Sequence, residues 1–197
     1  AMEEAGGILM GLHWSNYPTL MGQNHLFPFH VFFVWGEALL DFIPSDITAS
    51  YVLPSGLWIT GSKTGTDETL ESFPREVNFV IALFDSSAAY NIHQTEETLA
   101  RFYRWIIKLL VSRPSFGMIV KSKNWRREEI SAIWAGPEEK AAVEQLLEEG
   151  RVRFLAPEDS PLKAASQAHL CVCYGLNSAG IVCAVHGHRA VHWDCSR

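Results

Sequence analysis

Asn177-Ser178-Ala179-Gly180 is the stretch whose residue types are best suited to hold a ligand. Small and polar residues stand where an apolar run begins, so a helix starting there presents backbone amides with little side chain in front of them. With Ser178 as the cap, the amides of Ala179, Gly180 and Ile181 point outward, and with the helix dipole they favour an anion such as phosphate. The alternative is that Ser178 is an ordinary helix cap. Lys121 follows an apolar run and could place a point charge against phosphate oxygens, whereas Lys123 reads as a solvated surface charge. Asp85, Ser86 and Ser87 could hydrogen-bond a ligand hydroxyl or a phosphate, or close a turn on themselves. Asp194 could face a sugar hydroxyl or cap a turn. His13, in the stretch GLHWSN, is of the type that titrates near neutral pH and is a candidate general base.

A metal centre is not expected. His186, His188 and His192 are close in sequence, but a helix end and a strand direct them differently. Cys171 and Cys173 alternate on one face of an apolar run, and no CxxC spacing or second cluster accompanies them. Cys171, Cys173, Cys183 and Cys195 therefore read as buried free thiols. That reading, with no signal peptide in evidence, implies a reducing, cytoplasmic setting. The apolar run from Leu26 to Trp35 contains Pro28 and His30 and is too short to span a bilayer.

The elements that must position these residues are regular from Val77 onward. VNFVIALFD (77–85) is a continuous apolar run, as in a strand buried on both faces. Leu99, Phe102, Tyr103, Ile106, Ile107 and Leu110 recur at helical spacing after a Thr95 cap, and Pro114 ends the helix. SFGMIVK (115–121), RVRFLA (151–156), HLCVCYG (169–175) and HRAVHW (188–193) read as strands. Helices are expected from Gly136-Pro137 to Gly150, over 160–168 and over 178–187. This is β-α alternation with short loops, which predicts an α/β fold: a Rossmann-like parallel sheet with helices on both faces. Residues 1–30 read as an irregular segment. Residues 31–76 read as incoming strands (30–36 and 49–56), a short helix (37–43) and a polar linker (60–76), and 77–197 as the binding domain. The chain closes on a strand where this architecture expects a helix, which suggests a truncated fragment.

The 197 residues suit one large domain, or one and a part, and an apolar fraction of 48% supplies a core. A net charge of −6 without a basic cluster argues against nucleic acid as a partner. In an open parallel sheet, ligands bind beyond the carboxyl ends of the strands. Asp85, Lys121, the Asn177 turn and Asp194 all fall at that edge.

The pattern resembles the carboxyl-terminal, donor-binding domain of GT-B-fold glycosyltransferases, especially bacterial surface-polysaccharide enzymes. NSAGIVCAVHGHRAVHWD looks like that family's phosphate-turn helix followed by a turn and strand. VIALFDSSAAYNIHQTEETL looks like the first strand and loop of the domain, and HVFFVWGEALLDF with YVLPSG like the segment leading into it. The resemblance implies a nucleotide-sugar diphosphate against Ser178, Ala179 and Gly180, a base near Leu155, Ala156 and Pro157, and Asp85 to Ser87 with Lys121 near the phosphates. It implies transfer of the sugar to a glycan or lipid-linked acceptor, with no cofactor beyond the donor. A lipid-linked acceptor would bring the protein to a membrane surface. The likeness departs at Ile181-Val182-Cys183-Ala184, where many members carry a ribose-binding glutamate, and it lacks the spaced glutamate pair of many retaining members. A nucleotide-sugar epimerase or hydrolase, or a non-catalytic α/β interaction module, are the alternatives on the same fold.

Overall fold

The computed structural model describes residues 6–12, 29–42, 49–56, 72–86, 95–122, 137–175 and 177–194. The chain divides into two compact units, Ala1–Ser62 and Lys63–Arg197.

The first unit holds three parallel strands in the order β1 (Met10–Leu12), β2 (Val31–Val34), β3 (Tyr51–Pro54). A 3-10 helix, Glu37–Phe42, packs on β2 and β3. The irregular segment expected over 1–30 thus contains a strand. Met-Gly-Leu is too short to show a period of two, and β1 exists because β2 offers it a partner. The helix expected over 37–43 is present as the tighter 3-10 form, which suits so short a run.

The second unit is built on a five-stranded parallel sheet. Its strands are β4 (Phe79–Phe84), β5 (Phe116–Lys121), β6 (Val152–Phe154), β7 (Leu170–Tyr174) and β8 (Ala190–Trp193), in the order β6-β5-β4-β7-β8. This is the α/β, Rossmann-like arrangement expected. Helix α1 (Glu96–Ser112) links β4 to β5, and α2 (Pro137–Glu148) links β5 to β6. Helix α3 (Pro161–Ala165) links β6 to β7, and α4 (Ser178–Val185) links β7 to β8. Right-handed crossovers running in opposite directions from β4 place the helices on both faces. Accordingly α1 packs on α2, and α3 packs on α4.

The core follows from the alternation of the strands. Ile81, Leu83, Met118, Val120, Val172 and Tyr174 face α1 and α2, where they meet Leu99, Phe102, Tyr103, Ile106, Leu110, Val143 and Leu146. Cys171, Cys173 and Ile119 are buried on the alternate positions. Helix α2 ends where expected: Gly150 takes a φ of +67°, and the amides of Gly150 and Arg151 return to Leu147 O and Leu146 O at 2.9 Å each.

Of the linker expected over 60–76, only residues 72–76 are described. Residues 72–76 belong to the second unit, anchored by Phe73 under the Arg153 guanidinium, whose carbon stands 4.4 Å from the ring centroid. Arg153 also donates to Ser72 O at 2.7 Å. One aromatic in a polar run is enough to dock the segment, and composition alone does not reveal it.

Candidate functional site

The sheet grows outward from β4 through β5 and β6 on one side, and through β7 and β8 on the other. The carboxyl ends of β4 and β7 therefore flank the topological switch point, the place where ligands bind in open parallel sheets. Asp85 follows β4, Lys121 ends β5, Ala156 and Pro157 follow β6, the Asn177 turn follows β7, and Asp194 follows β8. Adjacent strands stand about 4.8 Å apart, so Asp85, Lys121 and the Asn177 turn lie along one short stretch of that edge. His13 and Ser87 lie outside the described residues.

The helix cap is Asn177, in place of Ser178. Asn177 is extended (φ −131°, ψ 157°), and its Oδ1 accepts from the Gly180 amide at 3.0 Å. Asn and Ser cap about equally well, so backbone geometry decides between neighbours. The Asn177 side-chain amide also donates to Phe84 O and Tyr174 O, each at 3.4 Å. One buried residue thus closes the helix and clasps β4 to β7. The consequence for an anion is specific. The Gly180 amide is taken by Asn177, and Ile181 N bonds to Asn177 O at 3.4 Å. The outward amides of the first turn are those of Ser178, whose side chain is exposed, and of half-buried Ala179.

Gly180 is small for another reason than ligand approach. It is buried, and a Cβ there would stand 2.5 Å from Cys173 Sγ and 2.6 Å from His192 Cε1. The glycine lets α4 lie close on β7 and β8. His192, considered above for a metal, has a structural contact here. Its Nδ1 is 2.9 Å from Gly175 O, which ties β8 to the turn before α4. Cys171 and Cys173 on β7 and Cys183 on α4 itself are buried free thiols as expected. Burial pushes the Cys173 thiol up to about 12.

Asp85 is 6% exposed and accepts from the Tyr103 hydroxyl at 2.7 Å. Tyr103 is fully buried on α1, so its hydroxyl needs an internal partner. Desolvation, then the charge of Asp85, then the hydrogen bond to it hold the Tyr103 hydroxyl well above its ordinary 10.0. Below that pH both folded and unfolded chains keep the proton and there is no contribution. Above it the unfolded chain releases the proton while the folded chain retains it, so stability falls as pH rises. We expect urea denaturation between pH 9 and 11 to show this downward slope, and Tyr103→Phe to lessen it at a cost of about 1–2 kcal/mol at neutral pH, the raised Cys173 thiol supplying the remaining slope of the same sign. An unchanged slope in the variant would refute the assignment.

Lys121 is 8% exposed and its ammonium donates to Pro157 O at 2.7 Å and Ser122 O at 3.1 Å. Desolvation pulls its pKa below the usual lysine value, opposed by the charges of Asp85, Asp159 and Glu158. Lys121 therefore fastens the loop after β6 to the end of β5 and contributes positive charge close to Asp85. Of the residues expected near a base, Leu155 is buried in the fold, whereas Ala156 is exposed and Pro157 half-buried at the edge. Asp159 holds this loop by accepting from the Ala156 amide at 3.0 Å.

The first turn of α1 opens at the same edge but has the opposite character. Thr95 and Thr98 form a reciprocal capping box, and Glu96 and Glu97 follow. The capping box takes the Thr98 amide and the first turn is acidic, so it disfavours an anion. The Tyr174 hydroxyl bonds to Thr98 Oγ1 and approaches Thr95 O at 3.4 Å, which fixes this helix start against β7. Helix α4 has no acid in its first turn. Among the described residues, no group of three or more His, Cys, Asp or Glu is arranged to hold a metal ion. No described helix is long and apolar enough to cross a membrane. No protein-family model matches this sequence, and comparison with curated proteins gives no match.

Proposed function

We propose that the unit spanning Lys63–Arg197 binds a nucleotide-activated sugar and serves a glycosyltransferase of cell-surface polysaccharide synthesis. The observation that carries this reading is the start of α4 at the switch point: an acid-free first turn with outward amides at Ser178 and Ala179, capped by Asn177. A phosphate accepted there would gain two charge-assisted hydrogen bonds and the helix dipole. In the transfer step the same amides would stabilise the leaving phosphate. Lys121 adds positive charge at this edge and holds Pro157 and its loop in place for the nucleoside end. On this reading Asp85, held by the Tyr103 hydroxyl, would meet a ligand hydroxyl, and Asp194 would meet a sugar hydroxyl. The acceptor on this reading is a glycan or a lipid-linked saccharide.

Titration calorimetry of the full chain with UDP, GDP, CDP and CMP tests it. At least one nucleotide should bind, and Ser178→Trp, which obstructs the amides from an exposed position, should weaken binding more than tenfold while leaving the melting temperature unchanged. Absence of binding to all four by a folded sample would refute the reading. Unimpaired binding by Ser178→Trp would refute the site.

A further inference from the structure

We propose that Cys171 and Cys183 form a redox-active pair, which a hydroperoxide converts to a disulfide that pins α4 to β7. The register of the helix on the strand brings the two residues together. Cys171 and Cys173 alternate onto the same face of β7. A Cβ on Gly180 would stand 2.5 Å from Cys173 Sγ, so Gly180 lies over Cys173. Because β7 and β8 are parallel, the helix between them runs back against both strands. One turn onward in α4, about 4.5 Å along the axis, is Cys183, on the side of Gly180. Two residues back in β7, about 6.6 Å away, is Cys171. Cys183 therefore comes to lie over Cys171, and its thiol donates a hydrogen bond to the Cys171 sulfur. Both are buried, at 0% and 1% exposure. The missing side chain of Gly180 lets the helix down onto the strand, as a disulfide requires, since its Cα atoms stand about 4.4–6.8 Å apart. Cys173 lies under a glycine instead of a thiol.

The hydrogen bond gives the two thiols different roles. It holds Cys171 below the ordinary thiol value, against the opposing effect of burial. It raises Cys183, and burial and the neighbouring sulfurs add to the rise. The thiolate form of the pair thus sits on Cys171, and the thiolate is the nucleophile. It attacks one oxygen of the hydroperoxide. The O–O bond breaks, the second oxygen leaves with the proton shed by Cys171, and Cys171 becomes a sulfenic acid. The Cys183 sulfur then attacks the Cys171 sulfur. An S–S bond forms, the S–O bond breaks, and the oxygen leaves as water with the Cys183 proton. The two thiols lose two electrons in all, and the peroxide gains them. Reaction waits on local opening of α4, which is eight residues long. Cys173, its thiol pushed up to about 12 by burial, stays reduced.

The test uses the full chain carrying Cys195→Ser, which leaves the three cysteines of β7 and α4. Hydrogen peroxide should remove the mass of two hydrogens, and dithiothreitol should restore it. Fragmentation of a chymotryptic digest should join Cys171 to Cys183. The melting temperature should rise on oxidation, because the bridge restrains the unfolded chain without moving the helix. Cys171→Ala and Cys183→Ala should each abolish the mass loss, and Cys173→Ala should preserve it. No mass loss in a sample shown to be folded by circular dichroism would overturn the proposal. So would a bridge that includes Cys173 or joins two chains, or a melting temperature lowered by oxidation. The mapping is made with β7 and α4 unsubstituted, so it holds even where an alanine variant fails to fold. None of these outcomes depends on nucleotide binding.

Discussion

Arg151→Ala is expected to destabilise the second unit by about 2 kcal/mol, the order for losing hydrogen bonds from a charged donor to largely buried carbonyls. The residue is 9% exposed, immediately before β6. Its Nε donates to Phe116 O at 3.1 Å, and Nη2 to Arg113 O at 2.7 Å and to Leu110 O. Nη1 reaches Glu149 at 3.0 Å. Leu110 and Arg113 end α1, where carbonyls lose their helical partners. A single guanidinium thus completes α1, anchors the start of β5 and fastens the turn after α2. Truncation removes the guanidinium donors from all three carbonyls; Leu110 O and Arg113 O keep the backbone amides of Arg113 and Phe116 at 3.3 and 3.0 Å, and Phe116 O loses its side-chain donor. Arg151→Lys should recover little, because one ammonium cannot reproduce the planar fork. Glu149→Gln should cost much less, since this carboxylate is well exposed. Gln145 and then Arg151 hold Glu149 below its ordinary value. Chemical denaturation measures all three, and a loss under about 1 kcal/mol for Arg151→Ala would contradict this role.

That dependence marks the boundary of what sequence alone makes legible. The alternation of Phe79–Phe84, α1 and Phe116–Lys121 is written in continuous apolar runs and a helical period, and the parallel sheet follows from it. The candidate edge is legible for the same reason, since parallel strands send all their carboxyl ends one way. Long-range polar partnership is not. Nothing local tells Arg151 that its acceptors lie 35 to 41 residues earlier. Nothing local pairs Tyr103 with Asp85, although a tyrosine on the core stripe of α1 does signal a hydroxyl in need of a partner. Lys121 shows the limit most clearly. Its position at the edge is readable, but the choice between a ligand phosphate and the Pro157 carbonyl is made by a loop 36 residues away. Short elements fail for a different cause: Met10–Leu12 has three residues, too few for a period, and forms only because β2 is beside it.

Gly180→Ala should couple fold and site in one measurement. The added methyl group would meet Cys173 Sγ at 2.5 Å and His192 Cε1 at 2.6 Å, distances that real carbon contacts do not tolerate. Alanine is otherwise the better helix former, by about 1 kcal/mol, so propensity alone predicts stabilisation. Steric conflict predicts the reverse, a loss of about 2 kcal/mol typical of overpacking. The sign of the change therefore decides which effect dominates. Relief should come from α4 moving away from β7 and β8, or from His192 turning out and releasing Gly175 O. Either movement shifts the turn that carries the Ser178 and Ala179 amides, so nucleotide affinity should fall along with stability. Cys173→Ala removes one of the two obstructing atoms. The double variant should be less destabilised than the sum of the single ones by about 1 kcal/mol, the coupling expected of residues in contact. Additive losses would mean that the sulfur does not set the position of the helix. A stabilised Gly180→Ala protein would mean that α4 has room to move without cost, and the glycine would then have no part in holding the anion site against the sheet.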